Sequence, residues 1–232
     1  MSLVKIDIEQ KIATITIENG KVNAISHQVI EELNAALDQA EAEQAVVILA
    51  GQPGIFSGGY DLNTMKASPE SAIGLVTEGS KLSRRLLSFP YPVIAACTGH
   101  AVAKGAFLLL SSDYRIGCSG PFKVGLNEVA IGMTMHQAGI EIARNRIPTN
   151  YLTRAVIMAE MFSPAEAINV GYLDTIVEPE EVMATAKAVA EQLTQLNMTA
   201  HAGTKLKERE QILSALDAAI ELDASAGGIS FK

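Results

Sequence analysis

Long hydrophobic runs are missing from this chain. The longest, such as AFLLL at 106–110, fall far short of the ~20 apolar residues that a membrane-spanning helix needs. Cysteine is scarce too. Cys97 and Cys118 stand inside the apolar stretches IAACTG and YRIGCSG, where the expected role is that of a small buried hydrophobe. The chain has no CxxC pair and no Cys/His cluster, so the spacing of a zinc site is absent. Positive charge is outweighed, since 18 Lys and Arg against 26 Asp and Glu leave a net charge of -8. A surface of that sign argues against nucleic acid or an anionic membrane as the main partner. A few local amides or lysines can still hold a phosphate. Lys5, Asp7 and Glu9 break up the opening residues, which is unlike a secretory leader and predicts a cytoplasmic protein. Low-complexity linkers and sharp composition shifts are lacking as well.

What remains is the composition of a globular chain: 232 residues, 48% hydrophobic and 19% charged. Residues 3–9, LVKIDIE, alternate Val4, Ile6 and Ile8 against charged neighbours, the period of a half-buried strand. Residues 11–18, KIATITIE, are a second strand, rich in β-branched side chains. Asn19-Gly20 marks a turn. Ser26 then caps a helix whose apolar face is Val29, Ile30, Leu33, Leu37 and Ala40. AVVILA at 45–50 follows as a buried strand. The pattern repeats with a helix over 70–88, a strand PVIAAC at 92–97, a short buried helix at 105–113 and a strand YRIGC at 114–118. Beyond Asn150 the chain reads as mostly helical, with a short TIV strand at 175–177, helices at 181–196 and 203–224, and a frayed GGISFK tail. The alternation predicts an α/β core over 1–190 and a C-terminal helical extension over 191–232.

Two glycine-bearing loops follow buried strands: FSGGYD at 56–61 and GHAVAKGAF at 99–107. If the strands are parallel neighbours, both loops emerge at one edge, where ligands bind in α/β folds. Glycine lets backbone approach a ligand closely, and two converging amides make an oxyanion hole. Ordinary strand-to-helix turns would look similar. A third segment, FKVGLNEVAIGM at 122–133, sets Glu128 among Val124, Leu126, Val129 and Ile131. Desolvation there would raise the carboxyl pKa toward neutrality and make it a useful base. A surface glutamate at a strand end is the plain alternative.

Taken together, these segments resemble the crotonase superfamily, the enoyl-CoA hydratase/isomerase family. The resemblance rests on NGKVNAIS at 19–26, GIFSGGYDL at 54–62, PVIAACTGHAVAKGAFLLLSSDYRIG at 92–117, GLNEVAIGM at 125–133 and FSPAEAINVGYLDTIV at 162–177. It implies a spiral of ββα turns, a homotrimer or dimer of trimers, and an acyl-CoA thioester substrate. Coenzyme A would be part of that substrate, with no separate cofactor and no metal. The oxyanion amides would be those of Tyr60 and Lys104. Val22, Ala24, Ser57, Gly58 and Gly59 would form one part of the binding site. Asp61, Leu62, Gly105, Phe107 and Asn127 would form the rest. Asp61 is expected to shape the adenine and pantetheine side more than to react.

The chain departs from the family pattern in two places. Ala103-Lys104-Gly105 stands where a glycine-rich stretch is usual, so Lys104 must send its side chain either into the protein or toward the coenzyme's phosphates. Phe107 stands where hydratases of this family carry a first glutamate, leaving Glu128 alone in the second position. Hydration calls for two carboxylates acting jointly. One carboxylate in a dry site suits movement of a double bond from position 3 to position 2, and GLNE at 125–128 resembles the mitochondrial-type Δ3,Δ2-enoyl-CoA isomerases. Glu128 is then both base and acid. A hydratase or other lyase with a surrogate group, and an acyl-CoA-binding member without catalysis, remain as rivals. His100 and His136 are expected outside the chemistry, and Arg144, Arg146 and Arg154 on solvated or subunit-facing surface. The stretch 133–136, MTMH, predicts an altered pocket wall.

Overall fold

The computed structural model describes residues 2–225, and the GGISFK segment lies outside them. Val4–Glu9 (β1) and Ile12–Ile17 (β2) form an antiparallel hairpin with Val4 opposite Ile17. Its two turn residues, Gln10 and Lys11, hold φ of 50° and 63° without a glycine, the mirror-image geometry that matches strand twist. His27–Ala42 (α1) starts where Ser26 accepts from the Val29 amide, and all five predicted apolar residues are buried. Val46–Ala50 (β3) follows, buried at every position.

The next strand is one that hydropathy alone does not reveal. Gly54–Ser57 (β4) lies in a second sheet and leads into Leu62–Ala67 (α2) and Pro69–Ser88 (α3). The cycle then recurs: Val93–Cys97 (β5), Gly99–Val102 (β6) and Lys104–Leu110 (α4). It begins again with Tyr114–Cys118 (β7) and Val124–Gly125 (β8). Gln137–Arg146 (α5), Thr149–Leu152 (α6) and Pro164–Val170 (α7) precede Thr175–Val177 (β9). Val182–Leu193 (α8), Met198–Glu208 (α9) and Glu210–Ala224 (α10) close the described chain. The single terminal helix expected over 203–224 is therefore two helices, meeting at Arg209.

The large sheet runs β1-β2-β3-β5-β7-β9, parallel from β2 onward, and the small sheet runs β4-β6-β8, also parallel. Each of β3, β5 and β7 passes almost at once into its small-sheet counterpart. The result is the ββα spiral of the crotonase fold. Strand residues alternate between two faces. Val47 and Leu49 of β3 join the main core, with Leu33, Leu37, Leu82 and Leu108. Val46 and Ile48 join a second core, closed by Val182, Ala186 and Ala190 of α8. That double burial is why the large-sheet strands read as unbroken apolar runs. Cys97 and Cys118 are buried free thiols in these two layers. No helix among the described residues is long and apolar enough to cross a membrane.

The C-terminal helices are fastened to the sheet by charge as well as by apolar packing. Ile212, Leu216 and Ala219 of α10 sit in the main core. At the start of β7, Asp113 accepts from the Val93 amide at 2.7 Å and from Lys205 Nζ at 2.7 Å, and pairs with Arg209 at 2.8 Å. Lys205 is thus held inside the fold, and its burial depresses its pKa despite the carboxylate. Arg144 and Arg154 make surface ion pairs with Glu141 and Glu160. Arg146 differs from the expectation: it is partly buried and donates to the Ser112 carbonyl at 2.8 Å. Removing Asp113 would leave Lys205 buried without a counter-charge and Arg209 with only the exposed Glu208, 3.5 Å away. Asp113→Ala is therefore expected to destabilise the fold by about 3–5 kcal/mol, measured as a lower urea midpoint. A change of under about 1 kcal/mol would contradict the clamp.

Candidate active site

The small sheet sets the site. β4 and β6 are parallel neighbours, with Gly54 opposite Gly99 and Ser57 opposite Ala101. The two glycine-bearing loops therefore leave one sheet edge side by side, from β4 and β6 rather than directly from β3 and β5. An added Cβ on Gly59 would fall 2.9 Å from Ala103 Cβ, 3.4 Å from the Val102 carbonyl and 3.6 Å from the Lys104 nitrogen. One on Gly105 would fall 2.4 Å from the Ser57 carbonyl. The glycines are required by close packing of one loop on the other, and Gly59 also holds φ of 105°.

Backbone hydrogen bonds use almost every amide around these turns. Gly58 donates to the Val22 carbonyl at 2.8 Å, Gly59 to Ser57 Oγ at 3.2 Å, and Asp61 to the Ile25 carbonyl at 2.9 Å. The Ala103 amide donates to the Gly125 carbonyl at 3.0 Å. Among the described residues, the amides of Tyr60 and Lys104 have no such acceptor. Lys104 is the first residue of α4, where helical geometry leaves the N–H free. The unusual backbone conformation falls on the preceding residue, since Ala103 holds φ of 50° and ψ of -118°.

A cavity of about 310 Å³ opens at this edge. Gly58, Tyr60 and Ala103 line it from the loops, Leu62, Met65 and Lys66 from α2, and Asn127, Glu128, Ile131 and Met133 from the segment after β8. The predicted residues Gly58, Tyr60, Leu62, Asn127 and Glu128 thus come together on one wall system. Ser57, Gly59 and Gly105 support it from behind through the contacts above. Val22 is exposed and contributes its carbonyl, while Ala24 donates its amide to the Asn19 carbonyl at 3.3 Å and accepts from the Asn19 side-chain amide at 2.7 Å. Asp61 is the N-cap of α2, accepting from the Thr64 amide at 2.8 Å.

Glu128 is 1% exposed. Its burial does not come from Val129 and Ile131, which are 45% and 56% exposed. It comes from a tight turn that folds the carboxylate inward. Ile131 donates to the Asn127 carbonyl at 3.1 Å and Met133 to the Glu128 carbonyl at 2.9 Å, and Gly132 closes the turn at φ of 81°. Desolvation pushes the Glu128 carboxyl up to about 7. Among the described residues, its Oε2 atom and the Asn127 Oδ1 atom are buried without a partner. The nearby charge of Glu128 adds to burial in raising the phenols of Tyr60 and Tyr172 above their ordinary range.

Phe107 lies differently from the expectation, and Lys104 takes the first of its two expected courses. Phe107 is 1% exposed and off the cavity wall, its ring edge-on to His136 with centroids 5.4 Å apart. His136 is buried too, and desolvation followed by the Lys104 charge lowers its pKa to about 3. The imidazole is thus neutral. The Lys104 side chain turns into the protein rather than out to a phosphate-binding surface. Its Nζ donates to the Gly79 carbonyl at 2.5 Å and to Ser83 Oγ at 2.6 Å, both on α3. His100 is structural, its Nδ1 accepting from the Lys123 amide at 3.0 Å.

Sequence reasoning missed Asn23 and Met65, whereas Met133 lines the cavity as the 133–136 stretch predicts. Asn23 is fully buried at φ of 51°, accepts from the Asn19 amide at 2.8 Å and donates to the Phe56 carbonyl at 2.8 Å. It pins the 19–26 loop onto β4. An Asn two residues after a surface lysine is an available signal, since Asn tolerates left-handed backbone.

Comparison with known proteins agrees with this geometry. The profile of the enoyl-CoA hydratase/isomerase family matches residues 7–227. A crystal structure of an enoyl-CoA hydratase/isomerase family protein from Pseudomonas syringae superposes with a TM-score of 0.95 at 59% identity, covering 97% of each chain. A probable enoyl-CoA hydratase of Bacillus subtilis is 32% identical over 82% of this chain and 75% of its own length. The human mitochondrial enoyl-CoA delta isomerase 1 is 30% identical over 92% of this chain and 72% of its own. With its ββα spiral and its paired loops, the chain belongs to the enoyl-CoA hydratase/isomerase family and acts on acyl-CoA.

Proposed function

We propose that this family member is a Δ3,Δ2-enoyl-CoA isomerase in which Glu128 moves the proton. The observation that carries the reading is that Glu128 is the one carboxylate among the cavity's lining residues. The thioester oxygen sits between the amides of Tyr60 and Lys104. The Glu128 carboxylate takes a proton from C2, and the electrons shift into the thioester to give a dienolate. The two amides stabilise that developing oxyanion more than they stabilise the ground state. The protonated Glu128 then returns the proton to C4, and the double bond ends between C2 and C3. No further cofactor enters the balance.

Hydration would need a second group to activate water. The place where hydratases carry it is filled by Phe107, covered by the neutral ring of His136. A carboxyl with a pKa about 7 suits both halves of the shuttle, because it gives up and regains the proton at neutral pH. Catalytic silence is disfavoured by the Lys104 side chain lying away from the cavity, which leaves its amide unobstructed. Met133, Met65, Leu62 and Ile131 give the acyl group an apolar wall. We extend the reading to a homotrimer or dimer of trimers, an assembly that would cover the adjacent exposed side chains of Ile157 and Met158.

The test is conversion of a 3-enoyl-CoA to the conjugated 2-enoyl-CoA, followed by absorbance. The rate should rise with pH from the acid side up to about 7 as Glu128 ionises. Glu128→Gln should lower it roughly 10²–10⁴-fold. Rapid hydration of crotonyl-CoA without isomerisation, or a full rate in Glu128→Gln, would overturn the reading. Stability should move the other way. The folded pKa of Glu128 lies above its ordinary 4.5, so the folded state holds the proton more tightly and loses stability as pH rises from about 4.5 through about 7. Glu128→Gln is expected to be more stable than the parent at pH 8, by on the order of 3 kcal/mol. The two should match at pH 4. Equal denaturation midpoints at pH 8 would contradict the burial of a charged carboxylate.

A further inference from the structure

The Lys104 side chain is a buried cation that the proton shuttle does not use. It is 1% exposed, and among the described residues no carboxylate lies within ion-pair distance of it. Its ammonium has three protons and two recorded acceptors, the Gly79 carbonyl and Ser83 Oγ. An isolated buried ammonium is strongly unfavourable, and a well-packed apolar side chain of that size would be tolerated better.

The acceptors are informative. Both lie on α3, and so does the one that Tyr60 reaches, its hydroxyl lying 3.5 Å from the Val76 carbonyl. Gly79 is the hinge of this arrangement. A Cβ there would fall 2.1 Å from Tyr60 Oη, so only glycine lets the phenol and the ammonium share the helix surface. Lys104 Nζ lies 6.0 Å from the centre of the Tyr60 ring. The two residues whose amides are left without a backbone acceptor therefore anchor their side chains on one stretch of one helix, residues 76–83.

We propose that Lys104 is a positioning residue, whose ammonium docks the oxyanion turn onto α3 and holds positive charge behind the developing enolate. The inference rests on the reading of the Tyr60 and Lys104 amides as the oxyanion hole. It explains why a lysine stands where glycine would suffice for the amide alone. Burial brings the ammonium pKa down to about 7, so its charge fades as pH rises past neutrality. The titratable groups around it are Tyr60 from the β4 loop, His136 at the start of α5, and Glu128 and Asp223, both of which act on Tyr60. His136 is neutral. Asp223 of α10 accepts from the Gln137 and Ala138 amides, both at 2.8 Å. Wild-type kcat should therefore pass through a maximum near neutral pH, rising with Glu128 and falling as Lys104 loses its proton.

The experiment is α-proton exchange of a saturated acyl-CoA in deuterated water, read by NMR across pH, for wild type, Lys104→Met and Ser83→Ala. Lys104→Met keeps the backbone amide and the side-chain length. Its kcat should fall at least about tenfold with KM within about threefold, because the oxyanion hole acts mainly on the transition state. The decline above neutral pH should vanish with it. Ser83→Ala, which leaves the ammonium only the Gly79 carbonyl, should lower kcat about threefold with KM unchanged, and it decides the matter if Lys104→Met does not fold. A kcat within twofold of wild type and an unchanged pH profile, in whichever variant folds, would overturn the inference. A loss confined to KM would overturn it equally. Absence of exchange in the wild type would sink the underlying oxyanion reading instead.

Discussion

The contact between Gly59 and Ala103 is the constraint on which the chemistry of the molecule depends. Two turns from different strands meet there with no room for a side chain at position 59. Parallel pairing of β4 and β6 brings them to that distance. The neighbouring amides are then consumed by Val22, Ser57, Ile25 and Gly125, and among the described residues the amides of Tyr60 and Lys104 are left over, next to a cavity that Tyr60 and Ala103 line. A fixed pair of donors needs no reorganisation when charge develops on a bound oxygen, which is why such pairs stabilise transition states so effectively.

The charged groups of the protein divide into two kinds. Asp113, Lys205 and Arg209, like Arg115 and Asp174, are partly or wholly buried but paired, and they fasten the C-terminal helices and β9 to the large sheet. Glu128 and Lys104 are buried and have no ionic partner among the described residues. Pairing would return Glu128 to the ordinary carboxylate range and end its use as a base at neutral pH. The fold therefore tolerates a destabilising charge at the site, held by a tight turn that ends at Gly132, and stabilises its remaining charges elsewhere.

Much of this was legible in the sequence. The apolar face of α1 follows from periodicity, and the strands β3, β5 and β7 and the short TIV strand follow from runs of apolar or β-branched residues. The strands β4, β6 and β8 span four, four and two residues and are rich in glycine. No alternation can be read over such lengths, so their residues look like loops. Glu128 was legible as a candidate, but the cause of its burial was not. Val129 and Ile131 turn outward, and the inward set of the carboxylate depends on a turn whose hydrogen bonds are tertiary detail. The destination of the Lys104 side chain was hidden for a similar reason. Its acceptors stand about twenty residues away on a helix whose small residues, Gly79 and Ser83, carry no signal of their own.

One labelling measurement tests the single-carboxylate shuttle most directly. A 3-enoyl-CoA carrying deuterium at C2 is converted in ordinary water, and the 2-enoyl product is examined by NMR for deuterium at C4. A buried Glu128 that takes the deuteron and returns it before water intrudes predicts a substantial fraction of the label at C4, with no such transfer in Glu128→Gln. Complete loss of the label to solvent together with accumulation of a 3-hydroxyacyl-CoA would contradict it.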